Sequence, residues 1–349
     1  MNAQVLYGIN SLKYEKNYKT PELKEDEVLI KVKACGICGS DIDRVLKNGT
    51  YHFPTIIGHE FSGIVEKVKS DMNRDWLGKR VSIFPLIPCK CCSPCLSGNY
   101  QLCENYNYLG SRCDGGFAEF VAVPVWNLIE IPEGVSYEEA AMMEPTAVAM
   151  HSLRQAGNLL GKNVVITGSG TISSILVQLS LAAGASKVVV IARNEKKLDY
   201  IKNIVPNVLT INTGTGNTEG ELNRLLGSNA SIVIEGTGAS NMIALAIQLV
   251  ERQGVVVLMG NPSSDISLEK KVYWQIMRKE LNLKGTWNSS YGITGKNDWY
   301  DVFELIKQKK INLSALISDK ISLENLMDGI ELMSEKQKIS NKVMVVYEK

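Results

Sequence analysis

One stretch of the chain decides its fold, and it reads Asn163-Val164-Val165-Ile166-Thr167-Gly168-Ser169-Gly170-Thr171-Ile172-Ser173. Its first five residues are an apolar run without alternation, which is typical of a parallel strand buried on both faces. A helical pattern follows from Ile172 to Ala183, and a second apolar run spans Lys187 to Ile191. Further strands are predicted at 231–234 and 254–258. Strands that alternate with helices predict an α/β fold with a doubly wound parallel sheet.

The turn after the first of these strands indicates a dinucleotide site. Gly168 and Gly170 permit a tight turn and a close approach to a pyrophosphate, whose charge favours the N-terminus of the following helix. Ser173 replaces the third glycine of this pattern with another small residue. The candidate cofactor-binding residues are Gly168, Gly170, Thr171, Ile172, Ala192, Arg193, Lys197 and Thr237.

The end of the second strand bears on which dinucleotide binds. Proteins that prefer NAD carry an acidic residue there, about 20 residues after the glycine turn. This chain has Ala192 followed by Arg193, with Lys197 one helical turn later. Alanine leaves room for a 2′-phosphate and arginine can bind it bidentately. The sequence therefore favours NADP(H) over NAD(H), and the alternative is a solvated basic helix start in a protein that still binds NAD.

Residues 28–125 have a different hydrophobic pattern, in which short runs of β-forming residues alternate with period two and are separated by Gly, Pro and Asn. This alternation predicts half-buried antiparallel strands. The pattern changes again after 283–287 and ends in a strand at 342–347. We predict a catalytic domain in 1–145, a nucleotide-binding domain in 146–288, and a return to the first domain in 289–349.

Composition excludes several classes of partner. The 38 basic and 37 acidic residues leave a net charge of +1, which attracts neither nucleic acid nor an anionic membrane. The N-terminal residues lack the pattern of a signal peptide, and no apolar run approaches the ~20 residues that span a bilayer. We therefore expect no nucleic-acid or membrane partner and a cytoplasmic location.

All eight cysteines lie between Cys35 and Cys113, and such clustering in a long chain indicates metal binding rather than a disulfide framework. Four of them, Cys89, Cys92, Cys95 and Cys103, are separated by two, two and seven residues. Two-residue gaps let thiolates converge on one ion, and four sulfurs close a structural zinc site. Oxidised pairs and an iron–sulfur cluster are the alternatives. Cys91 is expected to point elsewhere.

A second metal site is predicted from Cys38 and from the pair His59-Glu60 about twenty residues later. Cysteine, histidine and carboxylate are all zinc ligands, and a site with an open position can take water or substrate. The chain has only three histidines, so this pair is informative. Glu144 lies between Met143 and Pro145, an apolar setting that is unusual for a solvated glutamate.

Taken together, these motifs resemble the zinc-containing medium-chain dehydrogenases over nearly the full chain, and most of all their polyol branch. The motifs are Cys38-Gly39-Ser40-Asp41, Gly58-His59-Glu60 with Gly63, the four cysteines, Gly110-Ser111-Arg112 before 114–119, and Glu144-Pro145. The resemblance implies a GroES-like, mostly β catalytic domain beside a Rossmann cofactor domain. It also implies homodimers or homotetramers, often joined edge to edge near 254–258 and 283–287.

The resemblance further implies hydride transfer between an alcohol carbon and a nicotinamide cofactor. Cys38 and His59 would bind a catalytic zinc. Of Glu60 and Glu144, one would bind the zinc directly and the other would act through water or exchange with substrate. The sequence does not rank the two glutamates. Ser40 would carry the proton, and its alternative role is that of a loop serine that caps a helix.

Within the polyol branch, the chain resembles the galactitol-1-phosphate 5-dehydrogenases, a group expected to use NAD. The motifs that carry this resemblance are Lys47-Asn48-Gly49, Pro85-Leu86-Ile87-Pro88-Cys89, Tyr108-Leu109-Gly110-Ser111-Arg112 and Gly285-Thr286-Trp287. Sorbitol (L-iditol) dehydrogenases and NADPH-dependent ketose reductases are alternatives, although Asp43 stands where the sorbitol enzymes have a characteristic histidine. A non-catalytic redox-sensing or binding relative is a remote alternative. The expected substrate is a polyol, a polyol phosphate or a ketose. Arg112 and Lys47 are candidate phosphate-binding cations, although such side chains are more often simply solvated.

Overall fold

The computed structural model of the protein describes residues 1–292, 297–335 and 339–347. These residues form two compact units. The first contains the described residues within 1–145, 290–307 and 313–349, and the second contains 146–289 and 308–312. Among the described residues, every helix is too short or too polar to cross a lipid bilayer.

The elements are numbered along the chain. The strands are β1 (Ala3–Leu6), β2 (Leu12–Glu15), β3 (Glu27–Gly36), β4 (Thr55–Ile56), β5 (Glu60–Val68), β6 (Arg80–Ile83), β7 (Leu86–Ile87), β8 (Asn107–Tyr108), β9 (Phe120–Pro124), β10 (Leu128–Glu130), β11 (Asn163–Thr167), β12 (Lys187–Ala192), β13 (Leu209–Asn212), β14 (Ala230–Glu235), β15 (Val250–Leu258), β16 (Asn282–Gly285), β17 (Ile317–Ile321) and β18 (Lys342–Val346). The α-helices are α1 (Gly39–Asp43), α2 (Ser93–Leu96), α3 (Tyr137–Ala141), α4 (Met143–Ala156), α5 (Thr171–Ala182), α6 (Glu195–Ile204), α7 (Thr218–Leu226), α8 (Ser240–Leu249), α9 (Lys270–Arg278), α10 (Asp298–Lys307) and α11 (Leu326–Ser334).

The first unit is built around the ten-residue strand β3 in a seven-stranded sheet. β3 pairs antiparallel with β5, β9 and β18, and the apolar side chains of these strands form one core cluster. Gly36 at the end of β3 lies opposite Glu60 at the start of β5. The segments that carry Cys38 and His59 therefore begin from neighbouring positions of one sheet. The strand predicted at 342–347 is present as β18, and it also pairs with β3.

Three glycines let the loop before β5 lie directly against the loop at 110–116. Gly58 has a φ of +96°, a region that favours glycine. A Cβ on Gly110 or Gly115 would come within 2.5 or 2.1 Å of the Gly58 carbonyl oxygen. Gly116 donates a hydrogen bond to that same oxygen at 2.8 Å. This crossing of bare backbone fixes the position of His59.

The second unit contains a six-stranded parallel sheet in the order β13-β12-β11-β14-β15-β16. This order confirms the predicted doubly wound sheet, since it is the 3-2-1-4-5-6 arrangement of dinucleotide-binding folds. The strand order reverses between β11 and β14, where Thr167 lies opposite Glu235. Ligands of such sheets bind at this switch point, beyond the carboxyl ends of the strands.

The helical region predicted from Tyr137 to Ala156 is interrupted at Met142, which separates α3 from α4. α3 begins with a capping box in which Ser136 and Glu139 satisfy each other's backbone N–H groups. A continuous helix would place Pro145 in its interior, where proline lacks the N–H for the ladder bond. Restarting the helix at Met143 puts Pro145 in a first turn, which tolerates it, and puts Glu144 there as well.

Candidate metal centres and cofactor site

Cys38, His59 and Glu60 meet in the first unit, with their ligand atoms all within 4.8 Å of one another. Cys38 follows the end of β3 and caps α1, whereas His59 and Glu60 stand at the start of β5. His59 and Glu60 are buried and Cys38 is half-buried. A thiol, an imidazole and a carboxylate in this arrangement match the donor set that zinc takes in proteins.

Glu144 lies outside this group of three. It is 6% exposed in the first turn of α4, and it accepts a hydrogen bond from the Tyr108 hydroxyl at 3.1 Å. Burial raises the pKa of Glu144 to about 7, and the charge of Glu60 acts in the same direction. Two acidic side chains buried near a thiol favour a cation at this place, because a bound divalent ion reverses such a shift.

Asp41 orients the histidine. It is fully buried, accepts the backbone N–H of Cys38 at 3.0 Å and lies 3.4 Å from Nδ1 of His59. Although burial opposes it, the charges of His59 and Arg44 hold the pKa of Asp41 at about 2. An ionised carboxylate at Nδ1 leaves Nε2 of His59 as the nitrogen available to a metal. Asp41 belongs to the motif Cys38-Gly39-Ser40-Asp41, but the sequence alone did not predict that it orients His59.

Lys342 pairs with Glu60 in the interior. Its Nζ lies 2.5 Å from Oε2 of Glu60 and donates to the Ile37 carbonyl at 2.9 Å, and both charged side chains are buried. Burial lowers the pKa of Lys342, but the Glu60 carboxylate outweighs it, so the net pKa is raised. The ammonium of Lys342 therefore forms a buried ion pair with Glu60. The two residues lie 282 positions apart, and nothing local in the sequence indicates their contact.

Ser40 lies inside α1, whose N-cap is Cys38, so Ser40 does not cap that helix. Its hydroxyl oxygen accepts a hydrogen bond from Nη1 of Arg44 at 2.9 Å. The same nitrogen donates to Asp41 at 2.9 Å. Arg44, which sequence reasoning did not single out, thus joins the predicted proton carrier to the residue that orients His59.

The four cysteines at 89, 92, 95 and 103 also come together, within 4.8 Å of one another. The Sγ atoms are 4.0 Å apart for Cys89 and Cys95 and 3.9 Å apart for Cys92 and Cys103. A tetrahedron of sulfurs around an ion at ~2.3 Å has edges of about 3.8 Å. All eight cysteines are free, and Cys91 is exposed outside the group. The geometry fits a single tetrahedral ion and not oxidised pairs.

The predicted cofactor turn lies at the switch point of the parallel sheet. Gly168 has a φ of +97°, and a Cβ there would contact Ser173 and Thr237 at 3.4 Å. Gly170 is the N-cap of α5 and faces open space, since a Cβ added there would meet no atom within 4 Å. A helix N-terminus approached over bare backbone fits a pyrophosphate.

Glu235 is a buried carboxylate beside this turn, and sequence reasoning missed it. It accepts hydrogen bonds from the backbone N–H groups of Thr237 and Gly238 at 2.8 and 3.0 Å, and from the Thr167 hydroxyl at 3.1 Å. The Thr237 hydroxyl also donates to Glu235, at 2.5 Å. Glu235 therefore holds the ends of β11 and β14 together, and Thr237 stands beside Gly168. The sequence feature that could have identified Glu235 is a glutamate at the end of a buried strand, directly before Gly236-Thr237-Gly238.

The residues predicted to select the cofactor stand at the end of β12. Ala192 is 7% exposed, Arg193 is exposed, and Lys197 is half-buried in the first turn of α6. The nearby Glu195 carboxylate accepts a hydrogen bond from the Asn212 side chain at 2.6 Å.

Two family models match the chain. Residues 24–133 match the alcohol dehydrogenase GroES-like domain, and residues 171–308 match the zinc-binding dehydrogenase domain.

The chain is similar to named dehydrogenases and reductases over most of the length of both chains. Galactitol 1-phosphate 5-dehydrogenase of Escherichia coli K12 is 33% identical over 313 residues, which cover 89% of this chain and 90% of that protein. Probable D-xylulose reductase A of Aspergillus clavatus is 30% identical over 92% of this chain and 90% of its own. The crystal structure of the Escherichia coli galactitol-1-phosphate dehydrogenase superposes with a TM-score of 0.91 at 30% identity, covering 99% and 100% of the two chains. A putative zinc-binding dehydrogenase of Sinorhizobium meliloti bound to NADP gives 0.88 at 28% identity, covering 99% of each.

The cysteine geometry generates a prediction about metal content. We expect Cys103→Ser to lose one zinc ion per chain and to melt at a lower temperature, because a structural site contributes folding free energy directly. Metal analysis by mass spectrometry and thermal melting measure both effects. Cys91→Ser is the matched control and should keep the metal content of the unmodified protein. Full zinc retention in Cys103→Ser would contradict the assignment.

Proposed function

The chain belongs to the zinc-dependent medium-chain dehydrogenases, and on that premise we propose that it interconverts a polyol or polyol phosphate and its ketose by hydride transfer with NAD(P). The observation that carries the proposal is that the ligand atoms of Cys38, His59 and Glu60 lie close together in the protein interior. The relatives named for galactitol 1-phosphate and D-xylulose support the substrate class.

We propose that Cys38, His59 and Glu60 hold the catalytic zinc directly and that Glu144 acts through water or exchanges with substrate. Glu60 belongs to the group of three, whereas Glu144 stands apart and binds the Tyr108 hydroxyl. When bound, zinc lowers the pKa of an alcohol and polarises a carbonyl group. Asp41 keeps the His59 ring in one orientation, and Lys342 holds the Glu60 side chain in place through a buried ion pair.

Ser40 is proposed to move the substrate proton. Arg44 donates to its hydroxyl oxygen, so the serine's own O–H is directed to another acceptor. During oxidation Ser40 accepts the proton of the substrate hydroxyl and releases its own proton to a solvent water, since the residue is only half-buried. During reduction Ser40 gives its proton to the substrate oxygen and takes one from water. The guanidinium stabilises the serine oxygen while a proton is in transit.

A substrate screen with metal-ligand variants tests the function. We expect ketose reduction and polyol oxidation among galactitol, galactitol 1-phosphate, sorbitol and D-xylulose, with either cofactor offered. Glu60→Ala should lose one zinc and at least about 1,000-fold in kcat/KM, because the electrostatic stabilisation supplied at the reacting oxygen is several kcal/mol. Glu66→Ala, which changes an exposed glutamate of the same strand, should behave as the unmodified protein. Equal activity of the Glu60→Ala and Glu66→Ala variants would sink the proposed site.

We also propose that the protein prefers NADP(H). Ala192 leaves space at the ribose, and Arg193 can approach a 2′-phosphate from the exposed end of β12. Arg193→Ala should raise KM for NADPH about 10- to 100-fold, since hydrogen bonds to charged groups contribute ~1.5–3 kcal/mol, and KM for NADH should change little. Lys196→Ala, also at an exposed position, is the control. Equal changes for both cofactors would reject the preference.

A homodimer joined through β16 is proposed for the assembly. β16 is the last strand of the parallel sheet and all four of its residues are exposed. Leu283 and Trp287 are 37% and 54% exposed beside this sheet edge, which is a template for further strand pairing. Light scattering should give twice the chain mass of 38.5 kDa, reduced to the single-chain mass by Leu283→Asp but not by Met72→Asp. A single-chain mass before any substitution would refute the dimer.

A further inference from the structure

Arg112 lies between two tyrosine rings in the first unit. Its guanidinium carbon is 4.2 Å from the ring centroid of Tyr51 and 4.4 Å from that of Tyr106. Nη2 donates to the Tyr51 hydroxyl at 3.4 Å, and Nη1 donates to the Tyr106 carbonyl at 3.3 Å. Each terminal nitrogen carries a second hydrogen. Because the two rings cover the guanidinium, its remaining N–H groups are the part that can bind a ligand.

The charge of Arg112 lacks a counterion within the described protein. Over residues 1–292, 297–335 and 339–347, no carboxylate forms an ion pair with it. Its Nε is buried and has no hydrogen-bond partner in that same part of the chain. Lys47, the other cation predicted to bind phosphate, is paired with Asp43 at 2.8 Å and remains 68% exposed. The structure therefore separates the two candidates and favours Arg112.

The position of Arg112 relative to the three metal-ligand side chains is fixed by one short turn. The backbone N–H of Arg112 donates to the carbonyl of Tyr108 at 2.9 Å. The Tyr108 ring lies 5.8 Å from the His59 ring, and its hydroxyl binds Glu144. The Tyr106 ring stands next to it at 6.3 Å. A series of ring contacts thus connects His59, through Tyr108 and Tyr106, to the guanidinium of Arg112.

We propose that Arg112, clamped by Tyr51 and Tyr106, binds the phosphate group of the substrate, so that the substrate class is a polyol monophosphate rather than a free polyol. This inference rests on the proposed function. A phosphate oxygen accepts strongly from guanidinium N–H groups, and two oxygens can be engaged at once. The two rings hold the side chain in place, which leaves little rotamer freedom to lose on binding.

Kinetics with a phosphorylated and an unphosphorylated substrate test the inference on the zinc-loaded enzyme. Arg112→Met should raise KM for galactitol 1-phosphate about 10- to 100-fold while kcat changes little, because the lost contact is to a group remote from the reacting carbon. KM for galactitol should stay the same. Lys47→Met, which removes the paired cation, should leave both values unchanged. Arg112→Lys keeps the charge without the planar fork and should fall between.

Calorimetric binding of the same two compounds tests the inference without turnover. Galactitol 1-phosphate should bind more tightly than galactitol, and Arg112→Met should remove that difference while zinc content stays unchanged. An equal loss for both compounds assigns Arg112 a structural role and overturns the inference. If the unmodified enzyme oxidises both compounds equally well, the inference fails and the proposed function stands. If it is inactive with these two compounds and with sorbitol and D-xylulose, the proposed function fails, and the calorimetric difference still supports or overturns phosphate binding by Arg112.

Discussion

The cost of burying charge governs the first unit. Asp41, Glu60 and Glu144 are all buried around one cysteine and one histidine, and an unpaired buried carboxylate costs several kcal/mol. Arg44 offsets Asp41 and Lys342 offsets Glu60. Glu144 accepts a hydrogen bond from a tyrosine hydroxyl instead, and burial raises its pKa to about 7. Arg44 and Lys342 thus leave the acidic groups around Cys38 and Glu144 without a full complement of positive charge, and a divalent ion fits there.

The return of the chain to its first unit supplies one of the cations in this charge balance. Lys342 comes from β18, the last strand, and reaches Glu60 only because β18 and β5 both pair with β3. The sheet therefore brings the start of one strand and the end of the chain onto the same carboxylate. The close approach of the loops at Gly58 and at 110–116 fixes the position of His59. A side chain on Gly110 or Gly115 would push the two loops apart.

The features that depend on short spacing could be predicted from the sequence. The four cysteines, the turn after Thr167 and the pair of Cys38 and His59 follow from residue types in short motifs, and the structure brings each set together. The features that depend on strand pairing across the chain could not be predicted. Lys342, Glu235 and Tyr108 are ordinary residues locally, and only the fold places them against Glu60, Thr237 and Glu144. The choice between the two glutamates was open for the same reason, since it depends on which carboxylate the fold brings nearest Cys38.

The turn at 106–113 combines two kinds of constraint. Its glycine crossing and Tyr108 are tied to the metal-ligand residues, so changes there disturb the chemistry. Tyr106 and Arg112 project from the same turn and pack on each other, and Tyr51, 70% exposed, covers the guanidinium from another loop. On the proposal that Arg112 binds the substrate phosphate, substitution at these three positions changes the group bound at the far end of a substrate while the reacting end stays fixed. The same fold can host different functions because such side chains differ while the backbone that carries them stays the same.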